Sequence, residues 1–227
     1  MAKYVTESEF KGLVRVCLDQ NMGSKTLEDL EGVDIDTLTL DEIIGSKAED
    51  AALTVIRIAP VEKLGDVANP LEGTPFISEK APYRGSVPLP DDFERLVRFK
   101  LTGWRNALFR AESPMSPLYS RANSAFCVCG TKDKPLVFVV PLAENGKALS
   151  LEFYSAASPS DRLDRCLYAA KPKKEQIVTE GNTWQMLIGD ELLRPTVYYA
   201  AHLTALAIKD DNAAEKLLAV AKTLVES

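Results

Sequence analysis

A single histidine, His202, is all that this sequence holds of the side chain that most often moves protons near neutral pH. It stands in an alanine-rich stretch, and no Ser or Cys at a recognisable spacing offers itself as a nucleophile, so a catalytic triad has no visible carrier. Cysteine is sparse as well: Cys17, Cys127, Cys129 and Cys166. Cys127 and Cys129 form a Cys-x-Cys whose thiols would share one face of a strand. No second cysteine pair or histidine cluster completes a zinc set around them, so all four read as reduced structural thiols. Glycine-rich phosphate cradles of the P-loop or dinucleotide type are missing. No apolar run approaches the ~20 residues that span a bilayer. Met1–Phe10 has no apolar signal core, which predicts a protein made and kept in a cytoplasm.

Two polar clusters invite a functional reading and do not sustain one. Asp91, Asp92 and Glu94 follow Leu89-Pro90, where acidic residues form a turn, and the spacing of a hard-cation loop is absent. Lys171-Pro172-Lys173-Lys174, with Tyr168 nearby, is a basic cluster too narrow for a nucleic-acid face. A net charge of −6 also counts against general DNA binding. The expectation is a protein that is not an enzyme, with no catalytic, cofactor-binding or metal-binding residues and no cofactor.

What is present suits a structural protein. The 227 residues, 46% hydrophobic and 26% charged, can bury a real core in one large domain or two small ones. Charge is uneven. Residues 1–80 carry 8 basic and 16 acidic side chains, residues 81–178 carry 15 and 10, and residues 179–227 carry 4 and 7. The two ends resemble each other and differ from the middle.

Periodicity divides the chain in the same way. Phe10, Leu13, Val14 and Cys17 recur at helical spacing, with Gly23 as a stop and an acidic connector over Ser24–Asp36. Thr39-Leu40-Asp41-Glu42 is a capping box, opening a helix with its stripe at Ile44, Ala48, Ala51, Ala52, Val55 and Ala59. Prolines 60, 70, 75, 82, 88 and 90 then break all periodicity, which predicts either a mobile surface loop or, the sharper reading, an extended arm over about 60–90 ordered on a neighbouring subunit. Alternation at Val97–Thr102 and Leu149–Tyr154, the β-branched run at 135–140 and a fourth candidate at Arg165–Lys171 predict strands, with Glu144-Asn145-Gly146-Lys147 as a hairpin turn. Helix is expected again from Trp184, through Leu187, Ile188 and Leu192, past a kink at Pro195, to Ile208. A last helix is expected to start at the box-like Asn212-Ala213-Ala214-Glu215. The predicted fold is α+β. Residues 1–80 and 179–227 form a discontinuous helical bundle, and 81–178 form an inserted antiparallel β-sandwich or barrel.

The stretch Val87-Pro88-Leu89-Pro90-Asp91-Asp92-Phe93-Glu94-Arg95-Leu96-Val97-Arg98-Phe99-Lys100-Leu101-Thr102-Gly103-Trp104 resembles the turn and strand that open the β module of tailed-phage head-to-tail adaptor proteins, also called tail tubular or connector ring proteins. Leu151-Glu152-Phe153-Tyr154-Ser155-Ala156 and Tyr198-Tyr199-Ala200-Ala201 are similar to further recurrent stretches of that group, in the versions of podoviruses from gut bacteria. The resemblance runs from the Thr39 helix to the end of the chain. It implies a virion structural protein forming a homo-oligomeric ring, usually of about twelve copies, between the portal protein and the tail or collar proteins. Packaged DNA would pass through the channel without specific binding, and no membrane is involved. A tail-hub or other collar subunit of the same particle fits the same residues. From a different class, so does a cytoplasmic ligand-binding or regulatory module.

Overall fold

The computed structural model of the chain describes residues 2–21, 39–79, 83–124, 130–142, 148–177 and 183–227. Gly23, the Ser24–Asp36 connector, Cys127, Cys129 and the Glu144–Lys147 turn lie outside the described residues. The fold is α+β, with helices toward both ends and antiparallel sheets. The chain divides into two compact units, residues 1–67 with 171–227 and residues 68–170.

The first unit takes both chain ends. It opens with strand β1 (Ala2–Thr6), followed by helix α1 (Glu7–Asn21) and helix α2 (Leu40–Ile58). The capping box at α2 is complete: Thr39 Oγ1 accepts from Glu42 N–H, and Glu42 Oε2 accepts from Thr39 N–H at 2.7 Å. The Thr39 N–H, and after it the Thr39 hydroxyl, donate to the Glu42 carboxylate and hold it below its ordinary range. The stripe at Ile44, Ala48, Ala51, Ala52 and Val55 is buried. Small side chains there let a second helix lie close, as alanine at a helix contact does.

Pro60 ends α2, and the stretch expected as an extended arm is instead folded into its own chain. Residues Val61–Val67 make a 3-10 helix with Leu64 buried. The second unit begins with β2 (Ala68–Pro70), β3 (Phe76–Ile77), β4 (Arg84–Pro88) and β5 (Phe93–Arg98). These strands are short and carry prolines at or near their ends, where a missing N–H costs no ladder bond. That is why the alternation is too brief to read. A one-and-a-half-turn helix, α3 (Pro117–Ala122), precedes β6 (Leu136–Pro141), β7 (Leu149–Tyr154) and β8 (Leu167–Ala170).

Two antiparallel sheets result, ordered β2-β8-β5 and β3-β4-β7-β6. Val87, Val137, Leu151 and Phe153 of one sheet share a core with Phe93, Leu96 and Tyr168 of the other, the signature of a sandwich. Phe99, Trp104 and Phe153 meet at its centre, with ring centroids 5.6–6.3 Å apart. Trp104 Nε1–H donates to Ser155 O at 3.0 Å, so the indole is buried without an orphaned donor. Gly85 is obligatory in this packing, because a Cβ there would fall 2.3 Å from Phe76 O and 2.5 Å from the Phe153 ring.

The chain then returns to the first unit with β9 (Lys174–Ile177) and β10 (Thr183–Gly189), which form the sheet β1-β10-β9. This sheet corrects the reading of both ends as wholly helical. Residues 184–189 are strand, not the opening of a helix: Trp184, Met186 and Ile188 are buried at every second position. Helix α4 (Asp190–Ala207) starts only after Gly189 and contains the buried Pro195. Helix α5 (Asp211–Glu226) is capped by Asp210, whose carboxylate accepts from Ala213 N–H at 3.0 Å, rather than by Asn212. Lys209, at φ 60°, turns the chain so that Asp210 reaches that position. Helix α4 packs against α1, α2 and α5. Lys63 Nζ donates to the carbonyls of Leu224 and Val225, placing a cation on the C-terminal end of α5.

Phe99→Ala should cost about 3–5 kcal/mol by removing a fully buried ring. Thr39→Ala should cost about 1 kcal/mol through the lost cap. Urea unfolding of each variant against the parent chain measures both, and a Phe99 effect no larger than the Thr39 effect contradicts the core described above.

Candidate functional site

The residues singled out for chemistry are scattered, and each is held by its own local partners. His202 lies on α4 with Nδ1 2.9 Å from Ala214 O and its ring edge-on to Tyr199. Asp92 Oδ1 accepts from Tyr168 O–H at 3.1 Å beside the stacked pair Phe93 and Tyr168. It belongs to the rim of the sandwich core. Among the described residues, no three His, Cys, Asp or Glu side chains converge as a metal group would require. Lys174 is the first residue of β9; its N–H donates to Glu49 Oε1 at 2.8 Å, and its ammonium sits over the Trp184 ring. The basic cluster is thus tied into the first unit, while Tyr168 belongs to the second.

Cys17 and Cys166 are free and buried. Burial pushes both thiols up, against a hydrogen bond from Tyr198 to Cys17 and backbone hydrogen bonding to Cys166. A thiol held protonated is a poor nucleophile and a poor metal ligand.

Three surface depressions formed by described residues can be set out. A cleft of about 680 Å³ is lined by Glu7, Lys11, Arg15 and Asp41. Its charges already neutralise one another through the Lys11–Glu7 and Arg15–Asp41 ion pairs. A groove of about 340 Å³ between α1 and α4 is lined by Leu13, Val16, Cys17, Leu193 and Val197, with Asp190 and Arg194 among its polar residues. Leu13 was expected on the buried stripe of α1. The buried set is instead Phe10, Val14, Cys17 and Leu18, which leaves Leu13 37% and Val16 55% exposed.

The third depression, about 300 Å³, lies on the outer face of the four-stranded sheet. Cross-strand register puts Arg84 opposite Tyr154 and Ser86 opposite both Phe76 and Glu152. Helix α3 covers the β6–β7 half of this face, with Tyr119 edge-on to Phe138 and Phe138 edge-on to Tyr154. The β3 strand at the other margin carries Phe76, which is 75% exposed. Between them, Glu152 Oε2 accepts from Tyr119 O–H at 3.1 Å and from Tyr154 O–H at 3.4 Å. Asn123 Oδ1 lies 3.0 Å from the same Tyr154 hydroxyl, and the Arg84 guanidinium lies over the Tyr154 ring.

Burial first, then the Glu152 carboxylate and Tyr119, push the Tyr154 phenol up to about 12. Burial and Glu152 raise Tyr119 in the same direction. These hydroxyls are therefore fixed hydrogen-bond donors rather than acids poised near neutral pH. The cluster orders a surface and offers charge of both signs beside an exposed aromatic ring. The exposure of Phe76 could not be read beforehand, because it depends on where α3 stops covering the sheet.

No family of known proteins matches the chain, and no curated protein matches it.

A phenol with a folded pKa above its unfolded value contributes stability that is complete below the unfolded value and lost as pH rises through the folded one. The Tyr154 contribution should therefore fade between about pH 10 and about pH 12. Ultraviolet titration should show late-ionising phenolates, with the one at about 12 lost in Tyr154→Phe. A Tyr154→Phe curve identical to the parent overturns the cluster as described.

Proposed function

We propose that the chain is a structural subunit of a tailed-phage virion, forming a homo-oligomeric ring in the head-to-tail connector between the portal protein and the tail. The observation that carries this reading is the layout. Both chain ends build one helix-rich unit, and a β-sandwich is inserted at residues 68–170. This is the order of elements that the resemblance around Val87–Phe99 implies.

The surface supports the same reading. Large apolar side chains stand in solvent on both units, among them Val16 and Phe76, and Met115 at 91% exposure. The tyrosine hydroxyls and thiols with raised pKa values are held in their neutral forms, which suits a scaffold. No helix of the described residues is long and apolar enough to cross a membrane. In this reading the protein ends in the virion, assembled in the host cytoplasm, without cofactors.

Lysates depleted of the protein should yield filled or filling heads that lack stable tails, and purified protein should restore tailed particles stoichiometrically. Electron microscopy of complemented lysates reads the result. Restoration by far less than one ring per particle means an enzyme, and normal tailed virions without the protein overturn the adaptor reading. A chain that stays monomeric at high concentration, yet binds a small ligand, points to the ligand-binding module instead.

A further inference from the structure

Strand register lays out the cleft of the four-stranded sheet as two rows of side chains. Phe76, Ser86 and Glu152 stand in line across β3, β4 and β7, and Arg84 and Tyr154 stand in the next row. Ser86, the small residue of the first row, lines the depression of about 300 Å³ between these larger side chains. Arg84 and Glu152 are diagonal neighbours on adjacent strands, a spacing of about 7–8 Å. No ion pair joins them among the described residues.

Both charges are oriented by their neighbours and left open. Glu152 is held through Oε2, which accepts from Tyr119 and Tyr154, while Oε1 takes no hydrogen bond among the described residues. The Arg84 guanidinium lies 5.2 Å from the centroid of the Tyr154 ring, and no described residue accepts from its N–H groups. Side chains fixed by a supporting layer of contacts lose little freedom when a ligand binds. A simple anion on Arg84 is repelled by Glu152, and a simple cation on Glu152 is repelled by Arg84. A neutral ligand strips water from two charges and returns no opposite charge to either.

We propose that this cleft binds a free amino acid with an apolar side chain, its carboxylate on Arg84, its ammonium on Glu152 Oε1 and its side chain over Ser86 against the Phe76 ring. A zwitterionic head with a charge-assisted hydrogen bond of about 2.7–2.9 Å at each end bridges a diagonal of that length. Phe76, 75% exposed, supplies the apolar contact for the side chain. All of these groups belong to one copy, so the inference does not rest on the ring reading.

The test titrates the full, isotope-labelled chain with L-phenylalanine and with two analogues that each lack one charge, phenylacetate and phenethylamine, followed by magnetic resonance. L-phenylalanine should bind about tenfold or more tightly than either analogue and shift the amides of residues 76–78, 84–86 and 152–154. Glu152→Gln keeps an oxygen for the tyrosine hydroxyls and removes the charge. It should weaken L-phenylalanine about tenfold while strengthening phenylacetate, a reversal that a general loss of structure does not produce. Phe76→Ala should bring L-phenylalanine down to the affinity of L-alanine. The analogue series on the parent chain decides the question whether or not the variants fold. No saturable binding of L-phenylalanine, binding no tighter than that of both analogues, or shifts that map away from this cleft each overturn the site and leave the ring reading as it stands.

Discussion

Antiparallel pairing of Ala2–Thr6 with Thr183–Gly189, in register from Ala2 opposite Gly189 to Thr6 opposite Gln185, ties the start of the chain to a strand formed near its end. The first unit depends on that closure. Helices α1 and α2 come from one end and α4 and α5 from the other, and α4 is the element against which the other three pack. Phe10 of α1 meets Trp184 of β10 edge-on, and Glu7 accepts from the Trp184 N–H at 3.2 Å, so side chains reinforce the strand pairing. Closing so long a loop is less costly than its length suggests, because the entropy lost grows only with the logarithm of loop length. A sandwich can therefore be carried between the two halves at small extra cost.

The four-stranded sheet of the second unit shows how one strand serves two purposes. On β7, Leu151 and Phe153 point into the shared core, while Glu152 and Tyr154 point outward to α3. The outward pair is satisfied only because Tyr119 and Asn123 reach it from α3. Where α3 ends, cover ends with it, and Phe76 and the flanking charged groups are left to solvent.

Tyr154, Tyr119, Tyr168, Cys17 and Cys166 are all shifted toward their neutral forms, with burial the leading cause in each.

Several features were legible in the residues alone. The Thr39–Glu42 box and the alanine stripe beyond it specify α2, because capping and helical spacing are local properties. Alternation at Leu149–Tyr154 specified β7 in the same way, and the α+β class followed from the order of such segments. Residues 184–189 were misread because Trp184, Leu187 and Ile188 satisfy a helical spacing, while Trp184, Met186 and Ile188 satisfy a strand spacing equally well. Only the presence of β1 beside them decided between the two. The prolines between 60 and 90 announced broken periodicity but not its outcome, since strands of two to five residues derive their stability from partners distant in sequence. Which apolar residues remain in water was likewise beyond the sequence. Leu13 and Val16 on α1, and Phe76 on β3, have the same composition and spacing as residues that are buried. Their exposure was decided by where α4 and α3 stop, a property of tertiary packing that no local pattern encodes.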